Sequence, residues 1–104
     1  MLTKTEYAEL SAKATNETSF YSSISQILED PSVQAIIQMG IDALPFIFLD
    51  LAVNKCGCHW QMAVISTILA ANNLPLIEIP EEFRGVVKEM VRIYIEYGRE
   101  YHYI

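Results

Sequence analysis

Residues 40–53, GIDALPFIFLDLAV, constrain the fold of this chain more than any other stretch. Five apolar residues recur there at the spacing of one helix face, and these are Leu44, Ile47, Phe48, Leu51 and Ala52. A second apolar stripe beside the first contains Phe46, Leu49 and Val53. A helix that is apolar on two sides needs neighbours on two sides, so we predict that it lies at the centre of a small helical domain.

Helix start and stop signals predict further helices on both sides of this stretch. Asp30 followed by Pro31 is typical of a helix start, and Gly40 is typical of a helix end. The polar residues 15–19 predict a loop, because their side chains compete for backbone hydrogen bonds. The predicted helices span about residues 4–14, 20–29, 31–39, 42–53, 60–71 and 81–100.

The helix that begins near residue 60 also has two apolar stripes. One contains Trp60 and Val64, and the other contains Met62 and Ile65, so we expect this helix to be enclosed on two sides as well. A chain of 104 residues predicts one domain, 1–104, with N-terminal helices at about 4–29 packed on a core formed by 30–104. The predicted fold is all-α, with about six short helices in a compact HEAT-like stack or an orthogonal bundle.

Composition restricts the partners of such a domain. Hydrophobic residues make up 52% of the chain, which is high for a small domain and indicates apolar surface that meets a partner, such as a second copy of the chain. The formal net charge of −6, with no cluster of basic residues, argues against a nucleic-acid-binding surface. We therefore expect a protein partner and no nucleic acid.

The apolar stretch from Val33 to Val53 does not predict a membrane span, because Asp42, Pro45 and Asp50 interrupt it. The N-terminus has no basic–apolar–small pattern of a secretory signal. Two cysteines two positions apart are not the framework of a secreted disulfide protein. These features favour a cytoplasmic protein.

Several short motifs in residues 30–104 resemble those of an uncharacterised family of small bacterial all-helical proteins. In order along the chain they are Asp30-Pro31, Ile36-Ile37-Gln38-Met39-Gly40, Ala43-Leu44-Pro45, His59-Trp60, Pro75 with Pro80, Arg84-Gly85 and Tyr94-Ile95-Glu96-Tyr97-Gly98. This chain departs from the family pattern by a Cys-Gly-Cys insertion before His59, and by tyrosines where tryptophans are usual. The resemblance implies an all-α fold and implies no reaction.

Cys56, Cys58 and His59 form the one cluster of residue types that bind transition metals. Two thiolates and an imidazole supply three zinc ligands, with His102 or a carboxylate as a fourth. The C-x-C-H spacing is not that of a zinc finger, and a disulfide in so tight a ring is strained. We therefore predict two loop thiols beside a helix-start histidine, with a metal or redox site as the alternative.

No arrangement in the sequence is typical of an activated nucleophile or of a bound cofactor, so we predict a non-enzymatic protein without a cofactor. Asp42 is expected to cap the central helix, and Asp50 to lie on the solvent side of that helix. Tyr101 and Tyr103, in the C-terminal tail, are the expected contacts to a partner.

These observations lead to one main hypothesis and two alternatives. The main hypothesis is a protein–protein interaction module that also associates with itself. The first alternative is a metal-binding or redox regulator that uses the loop containing Cys56, Cys58 and His59. The second is an antitoxin-like protein that neutralises a basic toxin, which agrees with the acidic charge.

Overall fold

A computed structural model describes residues 4–19, 23–54 and 59–104 of the chain. Within these ranges the chain forms helices and turns and no strand, so the all-α prediction is confirmed, and the HEAT-like arrangement stays a prediction. The elements are α1 (Lys4–Thr18), α2 (Ile24–Glu29), α3 (Pro31–Gln38), a 3-10 turn (Gly40–Ala43), α4 (Leu44–Asn54), α5 (His59–Ala71), a second 3-10 turn (Glu81–Phe83) and α6 (Val87–Glu100).

Local signals explain where α3 begins and where the chain turns toward α4. The Asp30 carboxylate accepts hydrogen bonds from the backbone N–H groups of Ser32 and Val33 at 3.0 and 3.2 Å, and Pro31 occupies the first turn. Gly40 has a φ of +67°, which lets the chain bend there.

No single helix in the described ranges has both the length and the hydropathy of a membrane span. The segments Pro31–Gln38 and Gly40–Val53 reach that length and hydropathy only when they are taken together, and they are bent by 110° relative to each other.

Three helix boundaries differ from the prediction. Helix α2 begins at Ile24, capped by Ser23, and not at residue 20. Helix α1 continues to Thr18 through the predicted loop at 15–19, and the Thr18 hydroxyl donates a hydrogen bond to the Ala14 carbonyl at 2.7 Å. The predicted helix from Glu81 is divided, because Gly85 has a φ of +86° and α6 begins only at Val87. The polar side chains at 15–19 therefore do not end α1 before Thr18, whereas Gly85 does interrupt the last helix.

The centre of the domain is α5, which packs against α1, α2, α3 and α4. Residues from both of its predicted stripes are buried, which confirms the two-sided enclosure of this helix, and they include Trp60, Met62, Val64, Ile65, Ile68 and Leu69. Helix α6 packs against α4 on the other side of the domain.

The predicted two-sided enclosure of α4 is wrong. The first stripe is buried except for Ala52, which is half-buried, but in the second stripe Leu49 is 47% exposed and Val53 is 72% exposed. Phe46 is half-buried and stacks on Tyr7 of α1, with ring centroids 5.6 Å apart. Helix α1 thus covers one edge of α4 and α6 covers the other, while the surface between these edges, around Leu49 and Val53, is open.

The C-terminal tail folds back onto α4. His102 has a φ of +63°, and the Tyr103 N–H donates a hydrogen bond to the Gly98 carbonyl at 2.8 Å. This turn places the Tyr103 ring on Phe48, with centroids 5.3 Å apart. Gly98 itself lies directly over Phe48, since a Cβ at this position would lie 2.8 Å from the ring. The close approach of α6 to α4 therefore requires a residue without a side chain at position 98.

Candidate functional site: the groove between α4 and α6

A groove of about 630 Å³ lies between α4 and α6. Its apolar part is formed by Ala52 of α4 and by a stripe of α6 at positions i, i+4 and i+8, namely Val87, Val91 and Ile95. Its charged rim is formed by other α6 residues, and these are Lys88, Glu89, Arg92, Glu96 and Arg99. We call this surface the α4–α6 groove.

Two exposed apolar residues of α4 lie outside the groove lining. Leu49 and Val53 are one turn apart on α4, and Leu49 is three residues before Ala52, the α4 residue that lines the groove. At the other end, Val86, just before α6, is 43% exposed. We call Leu49 and Val53 the α4 ridge. Val91 and Ile95 in the groove are 5% and 8% exposed, so the solvent-exposed apolar surface of this region is mainly the α4 ridge with the half-buried Ala52 and Val87.

The rim is less acidic than the chain as a whole. Three of the seven basic residues line the groove, against two of the thirteen acidic ones. The Arg92 guanidinium contacts Glu89 and Glu96 at 2.8 Å each, and its hydrogen bonds to these carboxylates raise the pKa of Arg92. Within the described ranges no carboxylate forms an ion pair with Lys88 or Arg99. These two cations are therefore available to a bound molecule.

A polar cluster joins α1 to α4 and α5, and Asp50 is at its centre. The Asp50 Oδ2 accepts hydrogen bonds from the Tyr7 hydroxyl at 3.2 Å, from the Ser11 hydroxyl at 2.9 Å and from Gln61 Nε2 at 2.8 Å. We call these four residues the Asp50 cluster. The predicted solvent position of Asp50 is wrong, because α1 lies across this face of α4.

Burial governs the chemistry of the Asp50 cluster. Burial raises the pKa of Tyr7 above its ordinary value of 10.0, and the negative charge of Asp50 raises it further. Gln61 is 2% exposed, and its Oε1 atom has no hydrogen-bond partner among the residues that the structure describes. Beside the cluster, Trp60 Nε1 donates a hydrogen bond to the Thr15 hydroxyl of α1 at 3.0 Å. This arrangement attaches α1 to the domain through hydrogen bonds as well as apolar contacts.

The predicted metal or redox loop falls largely outside the described residues. Cys56 and Cys58 lie there, and of His59 the structure describes only that it begins α5. His102, the proposed fourth ligand, lies exposed in the C-terminal turn. In the ranges that the structure describes, no three histidine, cysteine, aspartate or glutamate residues come together as metal ligands. The metal site stays an untested alternative.

The two tyrosines predicted to contact a partner have different environments. Tyr103 is half-buried on Phe48, so much of its ring is engaged within the fold. Tyr101 is 44% exposed, with its ring 4.4 Å from that of Tyr97. Neither residue lines the α4–α6 groove. The predicted contact at Tyr101 and Tyr103 is thus a separate surface from the groove.

Sequence reasoning did not predict the α4–α6 groove. The periodicity of Leu49 and Val53 was recognised, but both were assigned to the interior. The signal that points to the groove is in α6, where an apolar stripe at 87, 91 and 95 lies next to a row of cations at 88, 92 and 99. Such a row beside an apolar stripe indicates the rim of an exposed surface.

Comparisons of the chain with family models, with curated proteins and with solved structures give no match. The resemblance to small bacterial helical proteins therefore rests on its short motifs. What the fold and the site define is a small all-helical domain with an open apolar groove between two of its helices.

Proposed function

We propose that this chain is a non-enzymatic protein–protein interaction module and that the α4–α6 groove, with the α4 ridge, is its binding surface. The observation that carries the proposal is the exposure of Leu49 and Val53, 47% and 72%, beside an apolar groove. Contiguous apolar surface of this kind marks interaction sites on small soluble domains. Two closely spaced cysteines outside any disulfide framework support a cytoplasmic setting for this role.

The exposed area of the α4 ridge gives an estimate of the binding free energy that this ridge can contribute. Full burial of a valine or leucine side chain contributes about 1.5–3 kcal/mol. Covering the exposed fractions of Leu49 and Val53 therefore contributes about 2 kcal/mol. A micromolar complex needs about 8 kcal/mol, so the ridge is only part of the contact. Since Val91 and Ile95 are already 5% and 8% exposed, the remainder must come from the half-buried Ala52 and Val87 and from the charged rim.

The experiment compares a groove variant with a matched control. Leu49→Gln/Val53→Gln removes the apolar ridge without adding charge or burying a polar group. Ile24→Gln/Leu76→Gln is the control, since these residues are 62% and 58% exposed and lie outside the groove. Both variants should fold as the wild type does, which circular dichroism checks.

Partner binding is measured in two ways. Sedimentation equilibrium of the purified protein over a range of concentrations reports association between copies. Affinity capture from the native host with quantitative mass spectrometry reports other partners. We expect wild type and control to retain the same partner, and the groove variant to retain at least tenfold less of it. Equal retention by all three proteins would show that the groove is not the binding surface.

A further inference from the structure

The charges around the α4–α6 groove indicate what kind of partner it accepts. This inference rests on the proposed function and extends it. We infer that the occupant of the groove is an amphipathic helix of another protein, apolar on one face and carrying carboxylates along one edge of that face.

A helix is favoured by the shape of the surface. The groove lies along α6, whose apolar side chains at i, i+4 and i+8 line it, and Ala52 of the packed helix α4 closes it on the other side. The side-chain rows of two neighbouring helices form a channel into which the side chains of a third helix pack. An apolar helix face laid in such a channel is a recurrent mode of peptide recognition.

A row of cations is the second part of the argument. Lys88, Arg92 and Arg99 are at i, i+4 and i+11, which places them within about 40° of arc on one edge of α6. The row extends about 16 Å along the helix axis. A helix lying alongside α6 therefore meets Lys88 and Arg99 along one of its own edges, with Arg92, held by Glu89 and Glu96, between them. Carboxylates at the same spacing on that edge complement the row.

The carboxylates in the groove do not remove this preference. Glu89 and Glu96 both contact Arg92, which compensates one of their two negative charges, so the residues that line the groove keep a small positive charge through Lys88 and Arg99. Lys88 and Arg99, at the two ends of the row, have no ion pair in the described part of the chain. The net charge of −6 repels an acidic partner at long range, but charges beyond about 8 Å are screened at physiological salt. The local row therefore decides the preference.

A second copy of this chain fits the groove less well. A two-fold axis pairs the same surface of both copies, and where that axis is perpendicular to α6 the two α6 helices run antiparallel. Each edge of α6 then meets the same edge of the other copy, so Lys88, Arg92 and Arg99 face three cations. Like charges placed opposite one another across an interface are unfavourable. The charge pattern thus favours an acidic helix from a different protein.

The test uses two synthetic helical peptides with the same leucine-rich face. One peptide carries glutamates at i, i+4 and i+11 on one edge of that face, and the other carries lysines at these positions. Binding is followed by fluorescence anisotropy at low and at high salt. Each exposed ion pair changes affinity roughly two- to threefold, so we expect wild type to bind the glutamate peptide about tenfold more tightly. The difference should shrink at high salt.

A charge-reversal variant and its control test whether the preference for the glutamate peptide depends on the cations of α6. Lys88→Glu/Arg99→Glu should lose or reverse the preference for the glutamate peptide. The control, Lys4→Glu/Lys13→Glu, makes the same charge change on exposed residues of α1 and should keep the preference. The comparison of the glutamate peptide with the lysine peptide on the wild-type protein tests the inference even if a variant folds poorly.

The remaining outcomes separate the inference from the proposed function. If both peptides bind equally and Leu49→Gln/Val53→Gln abolishes both, the charge inference is wrong and the binding surface stands. If neither peptide binds, but sedimentation shows a dimer that the same groove variant dissociates, the occupant is a second copy and the inference is overturned. If neither peptide binds and neither association between copies nor capture of a partner depends on Leu49 and Val53, both proposals fail.

Discussion

Replacing Asp50 with alanine removes an oxygen atom that accepts hydrogen bonds from two other helices. Tyr7 and Ser11 of α1 and Gln61 of α5 donate these bonds over 2.8–3.2 Å. The substitution leaves the donors in place and takes away their shared acceptor. Because α1 buries few apolar residues, the loss falls mainly on the attachment of α1 to the domain.

The expected cost follows from the burial of the donors. A buried donor without an acceptor costs about 1–3 kcal/mol. Gln61 and Tyr7 are 2% and 5% exposed, so water cannot replace the lost acceptor, whereas the half-buried Ser11 can bond to water. The bonds share one oxygen atom and do not add, so we expect a loss of about 3 kcal/mol in the free energy of unfolding. That is a large part of the roughly 5–15 kcal/mol of a typical domain.

The assay is urea unfolding followed by two signals. Trp60, the single tryptophan of the chain, is 1% exposed and donates to Thr15 of α1, so its fluorescence reports the attachment of α1. Far-ultraviolet circular dichroism reports the helices as a whole. In Asp50→Ala we expect the fluorescence transition at lower urea than the circular dichroism transition, while in the wild type the two coincide.

Asp42→Ala is the matched control, because it removes an equal charge from an exposed carboxylate in the 3-10 turn before α4. Its effect should be within about 0.5 kcal/mol. An Asp50→Ala protein that is no less stable than Asp42→Ala would show that the Asp50 cluster does not hold α1 in place.

Three further results are expected. Gly98→Ala gains about 1 kcal/mol of helix propensity, but the added Cβ would lie 2.8 Å from the Phe48 ring, and this overpacking costs more than the gain. Urea unfolding should therefore show that Gly98→Ala destabilises the protein, and adding Phe48→Leu should reduce the loss. The pKa of Tyr7 is raised above 10.0, so the free energy of unfolding should be constant below about pH 9 and fall above pH 10, where only the unfolded chain loses the proton; Tyr7→Phe should flatten this fall. Purified protein should carry no stoichiometric zinc or copper, and its stability should not change when a chelator is added. One metal ion per chain in the wild type that is absent from the Cys56→Ser/Cys58→Ser variant would favour the metal-binding or redox regulator.

Local signals predicted those features that depend on neighbouring residues in the chain. The start of α3 at Asp30 and Pro31 needs only a cap and a fixed φ angle, and the structure has both. The enclosure of α5 was predictable because apolar residues occupy most of its circumference. In these cases the chemistry that determines the structure is contained within one helix.

The features that sequence analysis missed depend on distant parts of the chain. Asp50 is polar and was placed in solvent, but its donors Tyr7 and Ser11 are 43 and 39 residues away. Leu49 and Val53 follow the helical period of a buried stripe, and whether such a stripe is covered depends on where α1 and α6 pack. Periodicity identifies an apolar face but not the helix that covers it.

The turn at His102 has a practical consequence for anyone who labels or fuses this protein. Since the Tyr103 ring lies against Phe48, the last residues are part of the folded body, and a fluorescent protein joined directly to Ile104 would strain that contact. A flexible spacer after Ile104, which is 38% exposed, would leave the ring in place and let the attached group point into solvent.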